Sequence, residues 1–584
     1  MLYPQINSYR SVFDLSGFWE FKPDPQDIGE KKQWFKSVSV TQIIAIPASW
    51  NELYPDFELK NRVETVWYFF KTFIPQDWSD KNIWLRVGSA NYLTKVWWNG
   101  TPLGQHEGGY LPFEFLVRPA LLLEKENLIA IRVNRTLSST TIPPIFAPGK
   151  RAFSGAPGFP DANFDFFPYG GIHRPVKLYS TSKSYIKDMT LHTSIAGKKG
   201  VVDFEIEIES TRPLNVQANI TDRPETSQTM AFSKGRPVCG RLEIADCQFW
   251  SPQNPHLYTL RVSLYRDKEI VDTYDLPFGV RTVSLKGNQF LLNGKPVYFK
   301  GFGKHEDFPV LGKGLNHAVL IKDFYLLKWL NANSFRTTHY PYSEETLQLA
   351  DRMGILVIDE SAAVGLAFHY PDIGEMLATH KNELTALYKR DKNHPSVVMW
   401  SVANEPESWH KKSAPYFKDI ASFMRKLDSS RPITLVTCTD NAKNEFCADF
   451  FDVISLNKYF GWYTEFGQLD IAEKNLSDHL DSFYRRFKKP VLLTEFGTDT
   501  IAGFHEEPSQ MFTEEYQTDF IEMYIRVLRS KKYVIGEHIW NFADFQTSQT
   551  PLRVQGNKKG LFTRERKPKM AARKLREIWT QDNR

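Results

Sequence analysis

Arg390-Asp391-Lys392-Asn393-His394-Pro395-Ser396-Val397-Val398-Met399-Trp400-Ser401-Val402-Ala403-Asn404-Glu405-Pro406 is the stretch that decides the fold. His394-Pro395 ends any helix before it, because the proline ring clashes with a helical residue at the preceding position. Val397 to Val402 is a short apolar run with the make-up of a strand buried on both faces. It stops on an amide and a carboxylate, Asn404 and Glu405, which do not belong in a core. Polar side chains at the C-terminal end of a buried strand are how an α/β barrel builds its catalytic rim. Taken alone, Asn-Glu-Pro is equally well a strand-ending turn with a solvated Glu. Val491-Leu492-Leu493-Thr494-Glu495-Phe496-Gly497 breaks the tie, being a second apolar strand that ends on a single Glu. Two carboxylates displayed in this way are the equipment of a glycosidase.

Outward from these two strands, apolar segments alternate with helical periodicity from about residue 281, the signature of a parallel sheet. Eight strands are predicted: Val297–Gly301, Ser334–Thr338, Ile355–Asp359, Val397–Ala403, Ile433–Thr437, Val453–Leu456, Val491–Thr494 and Val534–Ile539. Amphipathic stretches such as Leu320–Leu330, Leu384–Tyr388 and Phe520–Leu528 lie between them. Eight strands with intervening helices make a (β/α)8 TIM barrel over residues 281–584. Strand after strand ends in a polar or reactive side chain: His339, Glu360, Asn404-Glu405, Asn457, Glu495 and Trp540-Asn541.

The chain before the barrel reads as two β domains. In residues 1–182, β-branched and aromatic runs such as Val66–Phe70, Ile83–Val87, Lys95–Trp98 and Leu128–Val133 are separated by Gly, Pro and Asn. Asn99-Gly100 marks a tight hairpin, since both of its turn positions need positive φ. A jelly-roll β-sandwich is expected. Near its end, Asn163-Phe164-Asp165-Phe166-Phe167-Pro168-Tyr169-Gly170-Gly171 holds Asp165 among aromatics, as a packed interdomain loop or a binding loop. In residues 183–280, Val202 to Glu209 alternates apolar and acidic, one face in a core and one in water. That rhythm over about a hundred residues indicates an immunoglobulin-like β-sandwich.

Composition narrows the partners. Lys plus Arg is 73 against 68 acidic residues, a formal charge of +5. Spread over 584 residues, this is too little to point to nucleic acid or a membrane. Fifteen Trp and 25 Tyr suit a protein that stacks rings on sugars, although large β proteins also use them as core. Met1-Leu2-Tyr3-Pro4-Gln5 lacks the pattern of a secretory signal, and no apolar run reaches membrane-spanning length. Four cysteines match neither a disulfide framework nor a zinc motif. A cytoplasmic protein with no metal and no organic cofactor is expected.

Glycoside hydrolysis needs one protonated carboxylic acid and one carboxylate. Glu405 on strand four and Glu495 on strand seven face each other across the predicted barrel mouth. A separation of about 5–5.5 Å goes with retention of anomeric configuration, about 6.5–9.5 Å with inversion. Asn404 is placed to hydrogen-bond a hydroxyl near the anomeric carbon. After strand eight, Arg553-Val554-Gln555-Gly556-Asn557-Lys558-Lys559-Gly560 can fold over the same rim. A Lys beside an Asn can grip a sugar carboxylate by a charge-assisted hydrogen bond. A basic surface loop is the commoner meaning of such a run.

At this point the residues carry a resemblance. Arg390–Glu405 resembles the acid/base signature of glycoside hydrolase family two. Trp250-Ser251-Pro252-Gln253-Asn254-Pro255-His256-Leu257-Tyr258 and Phe278-Gly279-Val280-Arg281 resemble that family's passage from sandwich to barrel. Asn557-Lys558-Lys559 looks like the Asn-x-Lys motif of its β-glucuronidases, of bacterial type. Asp165-Phe166-Phe167, His339-Tyr340-Pro341-Tyr342 and Trp462-Tyr463 are similar as well. The resemblance implies Glu405 as acid/base and Glu495 as nucleophile in a retaining, exo-acting hydrolase of terminal β-D-glucuronides. It implies Asn557 and Lys559 as readers of the carboxylate, supported by Arg553. Asp165, His339, Asn404, Asn457, Tyr459, Tyr463 and Trp540 would line the sugar pocket. The substrate would be a small-molecule or oligosaccharide glucuronide, and the protein a homo-oligomer, tetramer or dimer. Two departures stand out: the passage 361–390 is shorter than in members with a long loop over the site, and Phe460 replaces a Tyr found in some relatives. A β-galacturonidase is the alternative, followed by a neutral-sugar β-galactosidase or β-mannosidase. A non-enzymatic carbohydrate-binding protein is disfavoured by the presence of both Glu405 and Glu495.

Overall fold

The computed structural model describes residues 1–37, 42–117, 126–145, 158–369 and 373–582. The first domain is a sandwich of two antiparallel sheets. One has four strands, in the order Ser11–Asp14, Val176–Thr181, Asn82–Val87, Phe113–Val117. The other has six, in the order Gln42–Ile46, Gly17–Pro23, Thr65–Thr72, Asn127–Asn134, Leu93–Trp98, Thr101–Glu107. Trp19, Val66, Tyr68, Leu85, Trp98 and Ile131 fill the space between them. The predicted hairpin is there: Asn99 and Gly100 take φ of 47° and 79° between Leu93–Trp98 and Thr101–Glu107.

The second domain packs a three-stranded sheet on a four-stranded one. In Lys199–Glu209, Val202, Phe204 and Ile206 are buried while Glu205, Glu207 and Glu209 are exposed, as the alternation requires.

Eight parallel strands then close a barrel: β1 (Phe299–Lys304), β2 (Ser334–Thr337), β3 (Leu356–Glu360), β4 (Val397–Asn404), β5 (Ile433–Thr437), β6 (Val453–Asn457), β7 (Val491–Glu495) and β8 (Val534–Ile539). β1 starts later than its sequence suggests. Val297 instead ends an antiparallel three-stranded sheet, paired with Phe290. That sheet plugs the bottom of the barrel, where Phe290 and Leu292 join Phe299, Ile358, Met399 and Leu492 in one apolar cluster. The connections carry α-helices (His317–Trp329, Glu344–Met353, Ile373–Asp391, Ser413–Leu427, Leu469–Phe487, Glu514–Ser530 and Met570–Thr580), except that from β5 to β6. Among the described residues it has only the 3-10 turns Ala442–Asn444 and Ala448–Phe450. Of the shortened passage 361–390, residues 370–372 lie outside the described residues.

The deciding stretch is the joint between domains. The helix Ile373–Asp391 stops before His394-Pro395, as expected. Lys392 pairs with Asp188 of the second domain at 2.6 Å, and Asn393 Nδ2 donates to the Met189 carbonyl at 2.8 Å. Arg281 ties the domain junction to the same segment, donating to the carbonyls of Pro395 and Val397. The strand carrying Glu405 is thus fixed at its root by the neighbouring sandwich.

Candidate active site

A cavity of about 820 Å³ opens at the C-terminal rim of the barrel, within the size range of small-molecule sites. Glu405 and Glu495 both line it, with His339, Asn404, Asn457, Tyr459, Tyr463, Trp540, Arg553 and, from the first domain, Asp165. Asn557 and Lys559 stand one layer behind this wall.

Glu495, the last residue of β7, is held by two donors. Arg336 Nη2 donates to Oε1 at 2.5 Å and the Tyr459 hydroxyl to Oε2 at 2.7 Å. Arg336 is wholly buried, and its Nη1 is shared by both oxygens of Glu360 at 2.7 Å and by Asn404 Oδ1 at 3.2 Å. Burial works against the Glu360 carboxylate, but Arg336, His339 and Ser401 outweigh it and hold its pKa below the usual range. As Glu360 is ionised it only accepts, so His339 Nδ1, 3.1 Å away, carries the proton of that contact. Burial pushes the His339 pKa down to about 4, so the ring is neutral, and its Nε2 lies 3.7 Å from Glu495 Oε1. The imidazole lies flat on Trp540, with ring centroids 5.0 Å apart.

Glu405 follows β4 directly, and its backbone sits at φ 47°, a left-handed conformation that costs a non-glycine residue about 1–2 kcal/mol. Its N–H donates to the Val436 carbonyl of β5 at 2.8 Å, which holds the turn. Asn457 Nδ2 donates to Glu405 Oε1 at 2.8 Å and to Asn404 Oδ1 at 3.2 Å. Burial raises the Glu405 pKa, partly offset by Asn457 and Arg336. Burial also pushes Glu495 up, to about 8, with Arg336 opposing and Glu405 adding to the rise. Two carboxyls that both resist ionisation titrate as a pair that holds one proton near neutral pH. The donors decide where the charge rests. Glu495 has a guanidinium and a phenol, Glu405 a neutral amide, so the charge belongs on Glu495 and the proton on Glu405.

At the β7–β8 side of the mouth, two cations and two carboxylates interlock. Arg553 contacts Asp165 at 2.7 Å, Asp499 at 3.1 Å and the Tyr463 hydroxyl at 2.7 Å. Lys559 pairs with Asp499, lies 3.0 Å from the Tyr463 hydroxyl and sits among the rings of Tyr459, Trp462 and Tyr463. Asn557 Nδ2 donates to Asp165 at 2.9 Å. The loop Asn163–Gly171 carries Asp165 across the domain boundary onto the barrel rim. Two participants are absent from the sequence reading, Arg336 and Asp499; Glu360, read there as a strand end on the rim, is the anchor of Arg336. A lone cation inside the buried strand β2 is the signal that marks Arg336.

The chain matches the glycosyl hydrolases family 2 sugar binding domain over residues 12–182, the glycosyl hydrolases family 2 domain over 184–281 and the glycosyl hydrolases family 2 TIM barrel domain over 283–583. It belongs to glycoside hydrolase family 2. Within the family it is 44% identical to a beta-glucuronidase of Paenibacillus borealis, over 99% of this chain and 98% of that one. A solved beta-glucuronidase from an uncultured Clostridium species is 41% identical, covers 100% of both chains and superposes with a TM-score of 0.91. A beta-glucuronidase from Ruminococcus gnavus, solved in complex with D-glucuronic acid, is 36% identical, covers 99% of both chains and has a TM-score of 0.91.

Proposed function

We propose that this family 2 enzyme is a β-glucuronidase that removes terminal β-D-glucuronic acid from glycosides, acting from the chain end and with retention. The carrying observation is one cavity lined by Glu405 and by Glu495, which Arg336 and Tyr459 hold, and at one end by Arg553, with Lys559 behind it. Glu495 attacks the anomeric carbon while Glu405 gives its proton to the leaving glycosidic oxygen, which forms a glycosyl ester and frees the aglycone. Glu405, now ionised, takes a proton from water, and the resulting hydroxide equivalent displaces Glu495. Asn404 has its amide oxygen engaged by Arg336 and Asn457, so its NH2 is the group turned to the sugar hydroxyl beside the reacting carbon.

The carboxylate reader works in two layers. Arg553 and Tyr463 form the wall, with Asn557 and Lys559 behind. Asp165 is 46% exposed and displaceable, whereas Asp499 is 4% exposed and fixed. A sugar carboxylate takes the place of Asp165 on Arg553 and Asn557; a neutral sugar leaves a cation without a new partner.

The test compares hydrolysis of p-nitrophenyl β-D-glucuronide with the galacturonide, galactoside and glucoside. Strong preference for the glucuronide is expected, and NMR of the first-formed sugar should show the β anomer. Preference for the galacturonide moves the sugar and keeps the mechanism; activity on a neutral sugar alone discards the carboxylate reader. No helix among the described residues is long and apolar enough to cross a membrane. Four unpaired cysteines support a reducing, cytoplasmic setting, and exposed Phe18 and Ile43 on one sheet face support a homo-oligomer.

A further inference from the structure

The cavity extends beyond what a terminal sugar needs. Arg553, Lys559 and Asp499 lie past β7 and β8, and Glu405 follows β4, so the sugar that loses its bond spans the distance between them. Beyond Glu405, towards β5 and β6, the wall is made by Trp409, Lys458 and the lip Asp440–Asn444. This lip exists because the β5–β6 connection has 3-10 turns where its counterparts have α-helices. The leaving group, whose oxygen Glu405 protonates, has to lie on this side.

Lys458 is the unusual member of this wall. Its side chain is 7% exposed, yet its ion-pair partner Asp440 is 98% exposed. Nζ donates to the Cys438 carbonyl at 2.6 Å and to Asp440 Oδ1 at 2.7 Å. An ammonium has three donors, so one remains after these two bonds. A desolvated cation whose counter-ion is a solvated surface side chain is arranged to exchange that counter-ion for an anion on a ligand. The buried Lys559–Asp499 pair, by contrast, has no solvated member.

We propose that this part of the cavity is a second sugar subsite, in which Lys458 binds an anionic group, a carboxylate or a sulfate ester, on the residue that Glu405 releases. This rests on the reading of Glu405 as the acid. Trp409 supplies an aromatic face for a pyranose ring, and Asn441 and Asn444 supply amides for its hydroxyls. The favoured substrates are acidic oligosaccharides ended by β-D-glucuronate.

The test uses three disaccharides in which β-D-glucuronate is joined to a neutral sugar, its sulfated form or a uronic acid, with p-nitrophenyl β-D-glucuronide beside them. The readout is the ratio of kcat/KM for each charged disaccharide to the neutral one, which cancels general losses of folding or chemistry. The wild-type ratio should be about tenfold or more for at least one anion, as a hydrogen bond to a charged group implies. Lys458→Met should bring it to about one, and Asp440→Asn, which removes the competing anion, should raise it. A wild-type ratio at or below one for both anions overturns the proposal, as does a ratio that survives Lys458→Met. Loss of all glucuronide turnover in the wild type, including the p-nitrophenyl substrate, instead overturns the β-glucuronidase reading beneath it.

Discussion

Arg336 reaches Glu495 with one nitrogen at 2.5 Å and holds both oxygens of Glu360 with the other at 2.7 Å. One buried guanidinium thus positions Glu495 and favours its charged form. Arg336→Met leaves two buried carboxylates without their counter-charge, which should cost about 3–5 kcal/mol of stability. Arg336→Lys keeps the charge and loses the two-armed fork. Stability in urea should largely return in the Lys variant, while kcat stays at least about a hundredfold down. Wild-type kcat in Arg336→Lys would show that orientation of Glu495 does not depend on the fork.

The two carboxyls should fail in different ways. Glu495→Gln has no nucleophile and should lose turnover with every leaving group. Glu405→Gln still forms the ester when the leaving group needs no proton, and then lacks the base that activates water. With an activated aryl glucuronide it should give a burst of phenol followed by a slow steady state, and intact-protein mass should rise by one glucuronosyl unit. A burst in Glu495→Gln instead would exchange the two assignments.

Much of this was legible in the sequence, for a definite reason. Barrel strands are buried on both faces, so a polar residue that ends one stands out, and Asn404, Glu405, Asn457 and Glu495 all converge on the cavity. Pairing across the fold is another matter. Asp165 and Arg553 are 388 residues apart, and no local pattern tells which carboxylate meets which cation. The same limit hid Asp499: four residues after Glu495, it reads as loop polarity until Lys559 is seen against it. Val297 was misplaced because an apolar residue before β1 serves the bottom plug as well as it would serve a strand. The absent helix between β5 and β6 left no positive signal.

The carboxylate reader makes a prediction that separates its layers. Lys559→Ala removes a buried cation beside Asp499, and Asp499→Asn removes the anion that positions it. Both should lower kcat/KM on a glucuronide, by about 10²–10³-fold for Lys559→Ala, and change the corresponding glucoside far less. Asp165→Asn weakens the resident competitor on Arg553 and Asn557 and should lower KM for the glucuronide. Equal losses on both sugars in Lys559→Ala would sink the reader.

The proton shared by Glu405 and Glu495 sets the pH profile. Activity needs Glu495 ionised and Glu405 protonated, so kcat/KM should be bell-shaped, with its alkaline limb near the upper step of the pair, about 8. Tyr459→Phe removes a donor from the Glu495 carboxylate, so ionisation becomes harder and the acid limb should move to higher pH. The sign for stability follows from the same shift. A carboxyl whose folded pKa is raised contributes stability in full below its unfolded value, about 4.3, and loses it as pH rises through the folded value. Thermal stability of the wild type relative to Glu405→Gln should therefore fall as pH rises through the upper step of the pair, because the amide cannot ionise. Parallel melting curves would mean that Glu405 ionises as readily in the folded protein as in the unfolded chain.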